Sequence, residues 1–231
     1  MPPSQAQDLG EGAVSQPIAL VVLLALAALA PFLFMSLTAF VKISTVLQIT
    51  RGALGAQNIP SNTVILALAA ALSVVAMAPV GSNIMDRAGP LFEADGPQAT
   101  SDFVADLLQA TREPMRGFLT RNASERERAR FFELARGSYP STERERVGRD
   151  DLTVVIPAFV VTELIEAFAL GFAIYLPFLV IDLVVANVLL SLGMQMMSPT
   201  QIALPFKLLL FVAVDGWGLL SQALISGYAP S

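Results

Sequence analysis

Neither histidine nor cysteine occurs among the 231 residues. Their absence removes imidazole bases, thiol nucleophiles, haem ligation, disulfides and every zinc site built on Cys or His. A lack of cysteine suits any compartment and says nothing of the redox environment. Charge is scarce too: 14% of residues are charged and 55% hydrophobic, where a soluble domain averages about 25% charged. With a mean hydropathy of +0.65, the chain falls into the membrane class. The net charge of −5 offers no basic face to phosphates, so nucleic acid is not an expected partner. No Walker motif or other nucleotide site is visible, and no cofactor, metal or enzyme activity is expected.

What charge there is lies unevenly. Residues 86–151 hold 24 of the 33 charged side chains, 11 basic and 13 acidic. The expected organisation is therefore an N-terminal tail (1–16), a hydrophobic helical hairpin (17–85), a polar, mostly helical extracytoplasmic insert (86–151) and a hydrophobic region (152–231). The fold class is all-α: a multi-pass helical membrane protein with kinked helical hairpins and a polar insert.

Ile18–Val41 is 24 uncharged residues, enough to cross a hydrocarbon layer of about 30 Å at about 1.5 Å per residue. Asp8 and Glu11 precede it without any Lys or Arg, so it does not read as a cleaved signal peptide. Lys42 and Arg51 follow it and place that end in the cytoplasm by the positive-inside rule. The connection "RGALGAQNIPSN" (51–62) ends on Ser61 or Asn62 as a helix cap. A second apolar run continues to Met85, and Pro79 in "MAPVG" is expected to kink or end its helix. In the insert, Phe103, Leu107 and Ala110 share a face and Pro114 breaks the run. Ser124 and Glu127 form a capping box that opens "ERERARFFELAR". Leu152–Met197 is too long for one span, and two helices meeting at a kink or hairpin at Pro177 are expected. Ile202–Ile225 is the last apolar stretch.

Five ions interrupt this last region: Glu163, Glu166, Asp182, Lys207 and Asp215. Each costs about 2.5–3.5 kcal/mol at a membrane centre on insertion scales, so partners are expected. Glu163 and Glu166, three apart, share a helix face. Burial cost leads to a Glu163–Lys207 pair across a subunit boundary, because a broken buried pair costs about 3–5 kcal/mol. A proton relay through Glu163, Glu166 and Asp182, as in a proton-coupled transporter or channel, is the alternative. A third reading places the ions at the membrane interface. "GMQMMSP" (193–199) gathers Met194, Gln195, Met196 and Met197 at a turn. Thioethers usually fill irregular gaps in a core; several copies of this turn on one axis would instead make a deformable plug.

Three blocks carry a resemblance: "TAFVKISTVLQITRGALGAQNIPSN" (38–62) with "LSVVAMAPVG" (72–81), "IPAFVVTELIEAFALGFAIYLPFLVIDLVVANVLLSLGMQMMSP" (156–199) and "IALPFKLLLFVAVDGW" (202–217). Through these blocks the chain resembles the FliP/SctR (YscR) family, membrane proteins of the flagellar and type III secretion export apparatus. The want of a cleaved signal resembles the injectisome branch. The resemblance implies a homo-oligomer, a pentamer, joined by FliQ/SctS-like and FliR/SctT-like subunits into an export gate for unfolded polypeptides. It implies a multi-pass protein in contact with the lipid of the bacterial inner membrane, in an assembly raised toward the periplasm. It also implies that Met194, Met196 and Met197 close the pore, with Gln195 a departure from the family pattern. The family's intersubunit ion pair falls on Glu163 and Lys207.

Overall fold

A computed structural model describes residues 21, 24–25, 27–56, 59–93, 100–140, 143–194 and 196–229. They form helices α1 (Ala27–Leu37), α2 (Phe40–Leu54), α3 (Asn62–Ala76), α4 (Ala78–Glu93), α5 (Thr100–Asn122), α6 (Glu125–Ser138), α7 (Leu152–Ser191), α8 (Pro199–Ala213) and α9 (Gly216–Ser226). A short 3-10 turn, Arg144–Arg146, precedes α7. No strand occurs among the described residues. The N-terminal tail, 1–16, lies outside them.

α7 is the axis on which the rest is assembled. Its 40 residues make a rod of about 60 Å, twice a hydrocarbon core. It runs unbroken through Pro157 and Pro177, which corrects the expectation of a hairpin at Pro177. A proline removes one backbone donor, and in an apolar helix that single loss is tolerated where neighbours and local adjustment satisfy the freed carbonyl. Pro114 likewise sits inside α5 without ending it. The turn comes later, at Leu192–Ser198, and α8 folds back along the second half of α7.

Buried positions on α7 fall at Val155, Phe159, Glu163, Ala167 and Gly171, a spacing of four that keeps one stripe inward. α2 lies along that stripe, with α3 outside α2, while α5 and α6 cover α7 from the insert side. Gly171 lets α2 come close: a Cβ there would stand 2.6 Å from Ile49 Cδ1 and 2.9 Å from its Cγ2. The core divides into a layer around Ile43, Leu47, Ile65 and Ala167 and one joining the insert to α7 through Phe118, Leu119, Val155 and Phe159. A third, at Ala53, Leu54, Phe178 and Phe211, joins α2 to the α7–α8 hairpin.

Three helix pairs bend by 66° at Thr38–Ala39, 59° at Met77 and 59° at Val214–Asp215. Each bend has a local cause. Thr38 Oγ1 donates to Phe34 O and accepts from Phe40 N. Pro79 lacks the donor that would continue α3. Asp215 takes the left-handed conformation, φ +52°, in which a helix cannot continue. The first bend corrects the continuous Ile18–Val41 segment, since Val41 already belongs to α2. α7 is by itself long and apolar enough to cross a membrane, and each bent pair passes the same criterion jointly, giving up to four spans.

Caps follow the sequence. Ser61 caps α3 by accepting from Val64 N, and Ser124 caps α6 by accepting from Glu127 N. Ser124 N donates to Thr162 Oγ1 at 3.0 Å and not to the Glu127 side chain, so only the Ser124 half of the expected capping box is formed. The start of α6 is thereby fastened to α7 one residue before Glu163.

Candidate functional site

Two buried ammonium groups organise the apolar body. Lys42, on α2, points at the inward stripe of α7, where Glu163 and Glu166 stand one helical turn apart on the same face. Its Nζ lies 3.1 Å from Glu163 Oε1 and 2.6 Å from Glu166 Oε2. The side chains of Lys42 and Glu163 are 8% and 1% exposed, that of Glu166 52%. The same ammonium sits 4.5 Å above the Tyr228 ring, a cation–π arrangement. The Tyr228 hydroxyl donates to Glu163 Oε2. Burial, and then the neighbouring carboxylate, push the Tyr228 phenol up from its ordinary value, which keeps it a donor. Tyr228 also stacks on Phe118 of the insert, ring centroids 6.0 Å apart. Four parts of the chain, α2, α5, α7 and the segment after α9, therefore meet at one ion pair.

Lys207 is the second cation, with a side chain 2% exposed. Its Nζ donates to Asp182 Oδ2 at 2.6 Å and to the Ala53 carbonyl at 3.0 Å. The Glu163–Lys207 pair expected from burial cost is not formed within the chain. Glu163 has Lys42 and Tyr228, and Lys207 has Asp182 and Ala53. Within one chain every buried ion therefore has a partner: Lys42, from outside the last region, serves Glu163, and Asp182, one of the five ions of that region, serves Lys207. Asp215 belongs to neither cluster: it is exposed at the start of α9, and its carboxylate lies over Gly218, where a Cβ would meet it at 2.3 Å.

Sequence reasoning missed Lys42 and Tyr228. Lys42 was legible only as a charge that ends an apolar run. Its signal was position: it lies within "TAFVKISTVL", with apolar residues resuming at once, so that it is internal to a segment rather than at its border. Tyr228 carried no signal beyond being one of three tyrosines.

The methionine turn stands at the free tip of the α7–α8 hairpin. Gly193 adopts φ +73°, a left-handed stop that glycine supplies without penalty, and Pro199 opens α8 at its first position. Met194 and Met197 are exposed, and Met196 is 100% exposed. Gln195 lies outside the described residues. Among the described residues no group of three or more His, Cys, Asp or Glu side chains could hold a metal ion.

The FliP family's sequence model matches residues 23–224. The hypersensitivity response secretion protein HrcR of Ralstonia nicotianae is 43% identical over 209 residues, 90% of this chain and 96% of that protein. The Yop proteins translocation protein R of Yersinia pestis is 41% identical over 212 residues, 91% of this chain and 96% of that protein. The virulence protein YscR of Salmonella typhimurium is 38% identical over 213 residues, 92% of this chain and 97% of that protein.

Proposed function

Because the chain belongs to the FliP family, we propose that it is a core subunit of a type III protein secretion export gate. In this reading copies of the chain, five by family resemblance, assemble with FliQ/SctS-like and FliR/SctT-like subunits in the bacterial inner membrane. Much of that assembly is raised toward the periplasm, and it conducts unfolded polypeptides. The observation that carries the reading is the contrast between the two ends of α7. One end is held by buried ions and aromatic packing, and the other projects a bare hairpin whose tip is three exposed methionines. A fully exposed Met196 is costly in a monomer in water and useful where several such tips meet. Unbranched thioethers fit against one another without a fixed geometry, which suits a seal that opens around a chain of changing sequence and closes again.

The carboxylates support a structural role. Glu163 and Asp182 each already contact a buried ammonium, whereas a proton carrier must be free to release and reload. A Glu163–Lys207 contact between neighbouring copies would have to share ions that have partners within each chain.

Native mass spectrometry of the chain, alone and with its two candidate partner subunits, tests the assembly. A discrete homo-oligomer that recruits both is expected, and a monomer under both conditions refutes the reading. Replacing Met196 by Asp in assembled particles is expected to leave assembly intact while making the membrane leaky to small ions. Unchanged leak in an intact assembly overturns the proposed seal.

A further inference from the structure

Beyond the layer at Phe178 and Phe211 that joins it to α2, the α7–α8 hairpin carries an apolar groove. Between its two helices runs a groove of about 480 Å³ lined wholly by apolar side chains, among them Val180, Val184, Val188, Ile202 and Phe206. Apolar contacts of this kind are non-directional and tolerate sliding. What has one geometry is the polar contact of Lys207, which joins three elements at once: its own α8, Asp182 on α7 and the Ala53 carbonyl on α2.

Ala53 lies in the last turn of α2, where carbonyls have no partner within the helix and the dipole end is negative. A buried ammonium is well matched to that end. Gly55 shapes the receiving side. At φ +73° it stops α2 directly after Leu54, and a Cβ there would be 3.3 Å from Thr200 Cγ2 and 3.8 Å from Lys207 Nζ. The close approach of α8 to the end of α2 therefore runs past a residue without a side chain.

The depth of the contact matters. Lys207 is eight residues into α8 from Pro199, and Asp182 is nine before Ser191. Both stand about 12–14 Å from the turn at about 1.5 Å per residue. The ion pair thus sets α8 in register with α7, and the Ala53 bond sets the pair of them against the body.

We propose that Lys207 is a positioning residue for the methionine turn, its ammonium bolting the α7–α8 hairpin to the C-terminus of α2 so that Met194–Met197 are held at a fixed place. The consequence for closure rests on the seal described under Proposed function; the bolt itself rests on the geometry above.

The chain has no cysteine, so spin labels can be placed at will. Cysteines at Gln48, exposed on α2, and at Met196 report the distance from body to tip by pulsed electron resonance. The full chain is measured in its membrane assembly, with labelled copies diluted by unlabelled ones. Lys207→Met is expected to at least double the width of the distance distribution, and Lys207→Arg to return it close to that of the parent chain. If Lys207→Met does not fold, Asp182→Asn decides, with a broadening expected. An unchanged distribution in a folded variant overturns the proposal, as does an arginine variant as broad as the methionine one. Ion leak measured on the same samples separates the two readings. A broadened tip without leak upholds the bolt and refutes the seal, while leak without broadening refutes the bolt.

Discussion

Replacing Lys42 by methionine keeps the length and apolar stem of the side chain and deletes only the ammonium. Glu163 would then remain 1% exposed with the Tyr228 hydroxyl as its donor and no cation. Removing one member of a buried ion pair costs about 3–5 kcal/mol, because the other charge stays desolvated. The Tyr228 hydrogen bond offsets part of this, since a hydrogen bond to a charged group contributes about 1.5–3 kcal/mol. Central values of the two opposing effects leave an expected loss of about 2 kcal/mol. Glu163→Gln in the same background removes the stranded charge, so the double variant should be more stable than Lys42→Met alone. Glu166→Gln should cost under about 1 kcal/mol, because a half-exposed carboxylate gains little from its partner. Reversible unfolding in mixed micelles, run as a double-mutant cycle, measures all of these. Additive single effects below about 1 kcal/mol, with no coupling between positions 42 and 163, would refute the reasoning that the pair is a desolvated unit.

Gly171→Ala forces a methyl against Ile49 and should destabilise by about 1–3 kcal/mol, as overpacking does; Ile49→Ala in the same chain should recover most of that, by the same unfolding measurement. Ser124→Ala removes the cap of α6 and is expected to cost about 1 kcal/mol. It should also raise proteolytic cutting within the insert. Exchanging Glu163 and Lys207 by charge reversal at both positions is expected to rescue assembly no better than either single change, because Lys42 and Asp182 would each face a like charge. Full rescue, read as yield of the intact oligomer, would place those two ions against each other between copies.

Much of the helical body was legible because apolar runs, caps and the polar insert are local signals. Ser61, Ser124 and the Pro79 break are read from neighbouring residues, and the structure has them where local chemistry puts them. That Glu163 and Glu166 share a face follows from helical spacing alone, and one ammonium does reach both. The ammonium that reaches both within the chain was not legible, since Lys42 is more than a hundred residues away and its placement depends on how α2 lies along α7. Tyr228 failed for the same reason. The two prolines at 114 and 177 misled because a single missing donor was weighed against an isolated helix, whereas α5 and α7 are each held over many turns by neighbours. The bend at Thr38 depends on a hydroxyl that competes for backbone partners, which apolar patterning does not register.

The unbroken length of α7 also sets a ruler for anything that would travel beside it. A polypeptide drawn out at about 3.4 Å per residue needs about 18 residues to run the rod's length of about 60 Å. A segment left helical would need as many as α7 itself, 40. In an assembly of such rods, a traversing chain would have nearly twenty consecutive residues out of reach of both compartments at once. Its leading end would emerge before the stretch some twenty residues behind had surrendered its fold, and that lag is a quantity a stalled cargo of graded length can read.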